Sequence, residues 1–290
     1  MKNKNIITAL AGGLAAIIGL IIAGIGYRNN LDGEITKEDK LVFAGFFFVI
    51  IGIVLLVNGL IRLFSKKTVT NYSNAERVKR LSFAALFAAL AYIGFQYFRF
   101  DLTVGGEKTA FHLGNTFVVL AALFLGGLWG GMAGAIGLTV ADFTSSYVTS
   151  APKTFFLKLC IGLIVGLVAH TFAHLSRAHS AKKIMRITLI SSICGMAFNI
   201  VADPLVGYFY KKYLFGIPQD IASTLAKLSS LTTAVNAVLS VTFSVILYTA
   251  LRPALEKSGL FFRLETENNK SENEISWNHT NSTAQKIKNL

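Results

Sequence analysis

The chain has 290 residues, of which 53% are hydrophobic and only 15% charged, with four prolines and a mean hydropathy of +0.56. A soluble domain carries about 25% charged residues, so a water-facing polar shell is excluded. The net charge of +13 then reads first as a signal of membrane topology rather than of nucleic-acid binding.

Charge-free apolar runs recur along the chain, each long enough at about 1.5 Å per residue to cross a hydrocarbon core of about 30 Å. Their periodicity is helical or wholly apolar, without the alternating ten-residue segments of a closed barrel. The fold class is therefore an all-α polytopic membrane protein, with predicted spans at 6–27, 41–61, 81–98, 114–128, 131–149, 154–175, 187–209 and 228–251. The first run follows Lys2 and Lys4 but is too long for a signal-peptide core, so it counts as a span.

Four units follow: a two-helix membrane unit at 1–65, a basic linker at 66–80, a six-helix membrane domain at 81–252 and a polar tail at 253–290. The tail is rich in Glu, Asn, Lys, Ser and Thr and is expected to be disordered. With both termini in the cytoplasm, the inner segments hold 15 basic residues and the outer ones nine, so the positive-inside rule places both termini inside a plasma membrane. The sequons at Asn278 and Asn281 then lie on the cytoplasmic side and are chance matches.

From Thr109 to Ala141 there is no charged residue, and the run GGLWGG at 126–131 predicts a tight helical hairpin. Small residues four apart mark close helix contacts at Gly130 with Gly134 and Gly162 with Gly166. Cys160 and Cys194 fall inside apolar runs and read as packing residues. The span at 81–98 is bare on account of Ala84, Ala85, Ala88, Ala89 and Ala91, which suits it to docking against another protein's helix.

Ionisable groups inside spans cost a few kcal/mol each, about 3 on lenient scales, and default to a functional or paired role. Asp142, Lys158 and Asp203 are the three. A buried Asp142–Lys158 ion pair between neighbouring helices competes evenly with a binding role. Asn199 stands four residues before Asp203 on one helix face, and Asn236 lies among Ser229, Thr233, Ser240 and Ser244. The two asparagines read as site residues, the serines and threonines as interhelical hydrogen bonds. The outer loop at 98–115 contributes His112 and Asn115, and its Phe98, Phe100 and Phe111 either cover a flat ligand or form an interfacial belt. His170 and His174 lack the partners of a metal site, and the Gly105–Thr109 run lacks the spacing of a phosphate-binding loop. No metal site, nucleophile–base pair or ATPase motif emerges, so the chain is not read as an enzyme.

The segments LSFAALFAALAYIGF at 81–95, FHLGNTFVVLAALFLGGLWGGMAGAIGLTVADF at 111–143 and YVTSAPKTFFLKLCIGLIVGL at 147–167 together resemble the substrate-binding S components of energy-coupling factor (ECF) vitamin transporters. The likeness covers roughly residues 77–252 and is nearest to the pyridoxine, hydroxymethylpyrimidine or riboflavin branch. It implies a six-helix bundle that binds a small heterocyclic vitamin, pyridoxine-like or hydroxymethylpyrimidine, from outside. Its partners would be a transmembrane coupling subunit and two ATPases; this chain would hold no cofactor, and ATP would be used by the partners. The resemblance puts substrate binding on His112, Asn115, Asp142, Lys158, Asn199, Asp203 and Asn236. It puts partner contact on Ala84 with Ala88, or on the neighbouring Ala85 with Ala89. The two extra amino-terminal helices and the tail depart from that pattern. The rival is a self-sufficient proton-coupled carrier with Asp142, Asp203 and His112 as its relay, although no inverted repeat is evident.

Overall fold

The computed structural model describes residues 2–29, 74–104, 107–262 and 264. The expected span at 41–61, the first part of the linker and the tail beyond 264 lie outside the described residues. Helix α1 (Lys2–Asn29) is followed by α2 (Asn74–Gln96), the strands β1 (Arg99–Val104) and β2 (Glu107–His112), α3 (Gly114–Leu125), α4 (Gly127–Phe143), α5 (Ala151–Gly166), α6 (Ala181–Phe209) and α7 (Gln219–Lys257). Four helical stretches among these residues are long and apolar enough to cross a membrane, at 74–96, 148–172, 181–214 and 219–257.

Helix α3 is the axis of the bundle. Every residue from Gly114 to Leu125 except Phe117 is buried, and α2, α4, α5 and α7 all pack against it. A helix that is apolar all round has no face for water or for lipid headgroups and goes to the centre, which accounts for the missing charges between Thr109 and Ala141. At twelve residues it is about 18 Å long, too short to span alone. It ends at Leu125, earlier than expected, because Gly126 adopts φ +84°, a backbone angle that glycine alone takes at no steric cost.

Glycines let α4 and α5 lie against each other and against α3. A Cβ at Gly130 would fall on the backbone of Ala122, one at Gly162 on that of Gly131, and one at Gly166 on that of Gly127. Removing side chains lets backbones approach, the usual means of helix contact where lipid supplies no hydrophobic drive. Gly137 meets the Ala88 carbonyl in the same way. The α2 alanines are thereby divided: Ala84 is buried and Ala88 lies against α4, whereas Ala85 and Ala89 are exposed.

Three expectations are corrected, the first in the tail set at 253–290, whose opening residues to Lys257 complete α7 and whose Phe262 is buried against the bundle. The helix at 81–98 begins at Asn74 instead, so the end of the expected linker forms its first turns, stabilised by Glu76 and Arg80 at 3.1 Å across one turn. The loop after α2 is an antiparallel β-hairpin with Arg99 opposite His112 and Val104 opposite Glu107. Backbone groups of this stretch pair across the hairpin as it leaves the helical bundle, satisfying donors and acceptors that a loose loop would leave to water.

Candidate functional site

The hairpin roofs one end of the bundle, and beneath it all seven residues singled out in the sequence line a single cavity: His112, Asn115, Asp142, Lys158, Asn199, Asp203 and Asn236. They come from β2 and five helices, α3 to α7. Asn115 occupies the first turn of α3, Asp142 the last of α4, and Lys158 the second turn of α5, whose start is set by Pro152. Most are deeply buried; Asn115 and Asn199 are each 1% exposed and Lys158 7%.

Their hydrogen bonds sort them into two groups. Asp203 is fully engaged: Oδ1 faces the Lys153 ammonium at 3.0 Å, and Oδ2 accepts from Ser229 at 2.9 Å and Thr233 at 3.1 Å. This clamp ties α5, α6 and α7 together. Asn236 is engaged as well, because its Oδ1 accepts the His112 backbone N–H and its Nδ2 donates to the Ala110 carbonyl, both at 2.9 Å. Its amide thus mimics a neighbouring strand along β2. With the Thr109–Thr232 hydroxyl contact at 2.9 Å it fastens the roof to α7. On the other side, Asp101 accepts from Arg99 at 2.9 Å and from the Tyr147 hydroxyl at 3.0 Å, fastening β1 to the turn before α5.

The second group keeps unmet hydrogen-bonding capacity among the described residues. Among the described residues Lys158 Nζ reaches only Asn199 Oδ1, at a long 3.5 Å, while an ammonium has three donors to place. Asp142 takes a hydrogen bond from Thr154, yet its Oδ2 is buried without a partner among the described residues, as is Asn115 Oδ1. The Asp142–Lys158 ion pair weighed from sequence is not formed; the ion pair here is Lys153–Asp203. Lys153 sits at the start of α5, at the cavity rim, and Asp203 is within its reach. An orphaned buried polar atom costs about 1–3 kcal/mol, so two of them beside an under-coordinated ammonium on one cavity are a cost that the described residues leave uncompensated.

His112 is held neutral. Its Nδ1 accepts the Gly114 N–H at 3.1 Å, which caps the start of α3 and leaves the ring proton on Nε2. Burial, followed by the nearby Lys158 charge, pushes the imidazole down to about 3. The ring packs edge-on to Phe95 at 4.9 Å, and Phe95 meets Tyr147 at 5.6 Å. Burial and the Asp101 hydrogen bond push the Tyr147 hydroxyl above its ordinary range, so it stays protonated and donating.

Phe98 and Phe100, at 59% and 65% exposed, face outward as a belt would; the aromatic wall is Phe95 and Tyr147 instead. Sequence reasoning missed these two, together with Lys153 and Thr154. Thr154 stood four residues before Lys158 and so on the same helix face, a signal available in the sequence; Tyr147 lies in a turn and offered none. His170 Nε2–H donates to the Ala122 carbonyl at 3.2 Å. Among the described residues no three His, Cys, Asp or Glu side chains gather as metal ligands.

The two groups predict opposite results on mutation. Asp203→Asn leaves Lys153 without its counter-charge in a partly buried setting, and a loss of about 3 kcal/mol is expected, read as a lowered thermal midpoint in detergent. An unchanged midpoint would remove the clamp from this account.

A family model described as the ECF-type riboflavin transporter S component matches residues 75–253, more than half of the chain. No curated protein and no solved structure matches it. The matched stretch runs from the first turn of α2 almost to the end of α7 and takes in the hairpin and the whole cavity lining. With its apolar helices and this match, the chain belongs to the family of ECF transporter S components, multi-pass membrane proteins that serve as substrate-binding transport subunits and not as enzymes.

Proposed function

We propose that this subunit binds a flat heterocycle whose edge alternates hydrogen-bond acceptors and donors, with riboflavin the leading candidate. The carrying observation is the set of unsatisfied groups on one cavity. Lys158 asks for an acceptor such as a ring carbonyl, whereas Asp142 Oδ2 and Asn115 Oδ1 ask for N–H or O–H donors. A pyrimidinedione edge, carbonyl next to N–H, meets that demand, and Phe95 and Tyr147 supply a ring-sized aromatic surface. The description of the matching family supports riboflavin over the pyridoxine-like or hydroxymethylpyrimidine ligand read from the sequence. The ligand enters from outside beneath the hairpin, both termini are cytoplasmic, and a coupling subunit with two ATPases drives uptake. Ala85 and Ala89 form the partner-facing pair, since Ala84 and Ala88 pack inward.

The test is titration of the purified protein with riboflavin, pyridoxine and hydroxymethylpyrimidine. Tight binding of riboflavin alone is the expected outcome, and binding of none of them would overturn the substrate proposal. The same titration carries a pH prediction. Because His112 is neutral in the folded protein down to about pH 3, it adds nothing to any change in riboflavin affinity between pH 5.5 and 8, and His112→Gln should leave the shape of that pH profile unaltered. Stability behaves differently. The folded pKa lies below the unfolded value of about 6.5, so the unfolded chain takes up a proton that the native chain refuses. This contribution to stability is whole above about pH 6.5 and falls away as the pH drops toward 3. A midpoint in affinity near neutrality that His112→Gln abolishes would instead favour the proton-relay carrier, which needs a titrating His112.

A further inference from the structure

At the end of the bundle opposite the hairpin, the chain leaves α7 and folds back across the helix ends. Gly259 takes φ +70°, and the backbone N–H groups of Leu260 and Phe261 both return to the Leu255 carbonyl, at 2.9 and 3.0 Å, so the reversal is built as a helix stop. The residues that follow are seated. Phe262 is 5% exposed, packed edge-on to Phe83 at 5.2 Å, with the Lys79 ammonium 4.7 Å and the Arg80 guanidinium 5.1 Å from its ring centre. Phe261 lies against Phe124 at 6.4 Å and under Arg252 at 4.9 Å. Lys79 Nζ donates to the Gly259 carbonyl at 3.0 Å and Ser176 Oγ to the Leu264 carbonyl at 3.2 Å.

Everything this strap grips on α2 belongs to one side of that helix: Lys79, Arg80 and Phe83. At 100° per residue these lie within about 100° of one another, and Ala85 and Ala89 fall on the opposite side. Two cation–π contacts and an aromatic pair hold the base of α2 from behind while its small-residue face stays open. The strap lies beyond residues 75–253, which the family model matches.

We infer that Gly259, Leu260, Phe261 and Phe262, with Leu264, are a brace that joins the base of α7 to the base of α2 and fixes the exposed Ala85–Ala89 face for the coupling subunit. The inference rests on the partner assignment made under Proposed function. Because the brace and the cavity sit at opposite ends of the bundle, losing the brace should separate assembly from ligand binding.

The experiment uses the full-length protein carrying Phe262→Ala, with spin labels at Val78→Cys and Lys257→Cys after Cys160 and Cys194 are replaced by serine. The expected result has three parts: a broadened 78–257 distance distribution, at least ten-fold less protein recovered with a co-expressed ECF coupling subunit and its ATPases, and riboflavin affinity within two-fold of the parent. Lys79→Met, which removes one cation–π contact and the Gly259 hydrogen bond but leaves the apolar core intact, should give the same pattern more weakly, and it serves if Phe262→Ala does not fold. A distance distribution and a recovery both equal to the parent's would overturn the brace. If the parent itself recovers no coupling subunit, the partner assignment fails, and the spin-label distance still decides whether the strap holds α2.

Discussion

Lys158→Met should weaken riboflavin binding by at least 100-fold while leaving the thermal midpoint of the ligand-free protein unchanged or raised. The reason is the state of the ammonium before ligand arrives. It is 7% exposed and has one long hydrogen bond, to Asn199 at 3.5 Å, so the fold bears most of its desolvation without return. Methionine fills similar volume with no charge to solvate, which relieves the apo protein. In the complex the same change removes a charge-assisted hydrogen bond and strands the ligand's acceptor, and 100-fold corresponds to about 2.7 kcal/mol. Titration and a thermal melt of the same sample check both halves. Full affinity in the variant would sink the site assignment. A lowered midpoint with affinity retained would make Lys158 a structural residue like Asp203, the contrast that makes the pair of variants informative.

Gly166→Val is expected to abolish recovery of folded protein. A Cβ at this position overlaps the backbone of Gly127, just after the Gly126 turn, and backbone of that kind has no rotamer by which to move aside. The neighbouring contact of Gly162 with Gly131 holds the same two helices, so α5 would have to pull away from α4 along its length. Overpacking usually costs about 1–3 kcal/mol even where side chains can adjust, and here they cannot. The bundle would open at its centre, next to α3. Size-exclusion profiles in detergent give the readout, with Gly207→Ala as the control, since a Cβ there finds its nearest neighbour, Lys153 Nζ, at 3.4 Å. A monodisperse Gly166→Val protein with the parent's thermal midpoint would show that α4 and α5 are not pressed together there.

Much of this was written locally. Apolar length and the scarcity of charge determined a membrane protein built of helices, and the charge-free stretch 109–141 with its GGLWGG run predicted the tight hairpin that α3 and α4 form, though not that α3 would be buried on every side. The cost of placing Asp142, Lys158 and Asp203 in apolar spans marked them, and with Asn115, Asn199, Asn236 and His112 they do converge on one cavity. Only the tertiary structure decided what each one does. Asp203 joins Lys153, Asn236 is taken up by the backbone of β2, and Lys158 and Asp142 keep unmet hydrogen-bonding capacity. Likewise the α2 alanines were legible as a bare helix, but which pair faces outward depended on where α4 and Gly137 came to rest. Hydropathy and helical period act over whole spans and are present in the chain itself. Pairing between side chains is settled within about 3 Å, across helices far apart in sequence, and that distance exists only after the bundle has packed.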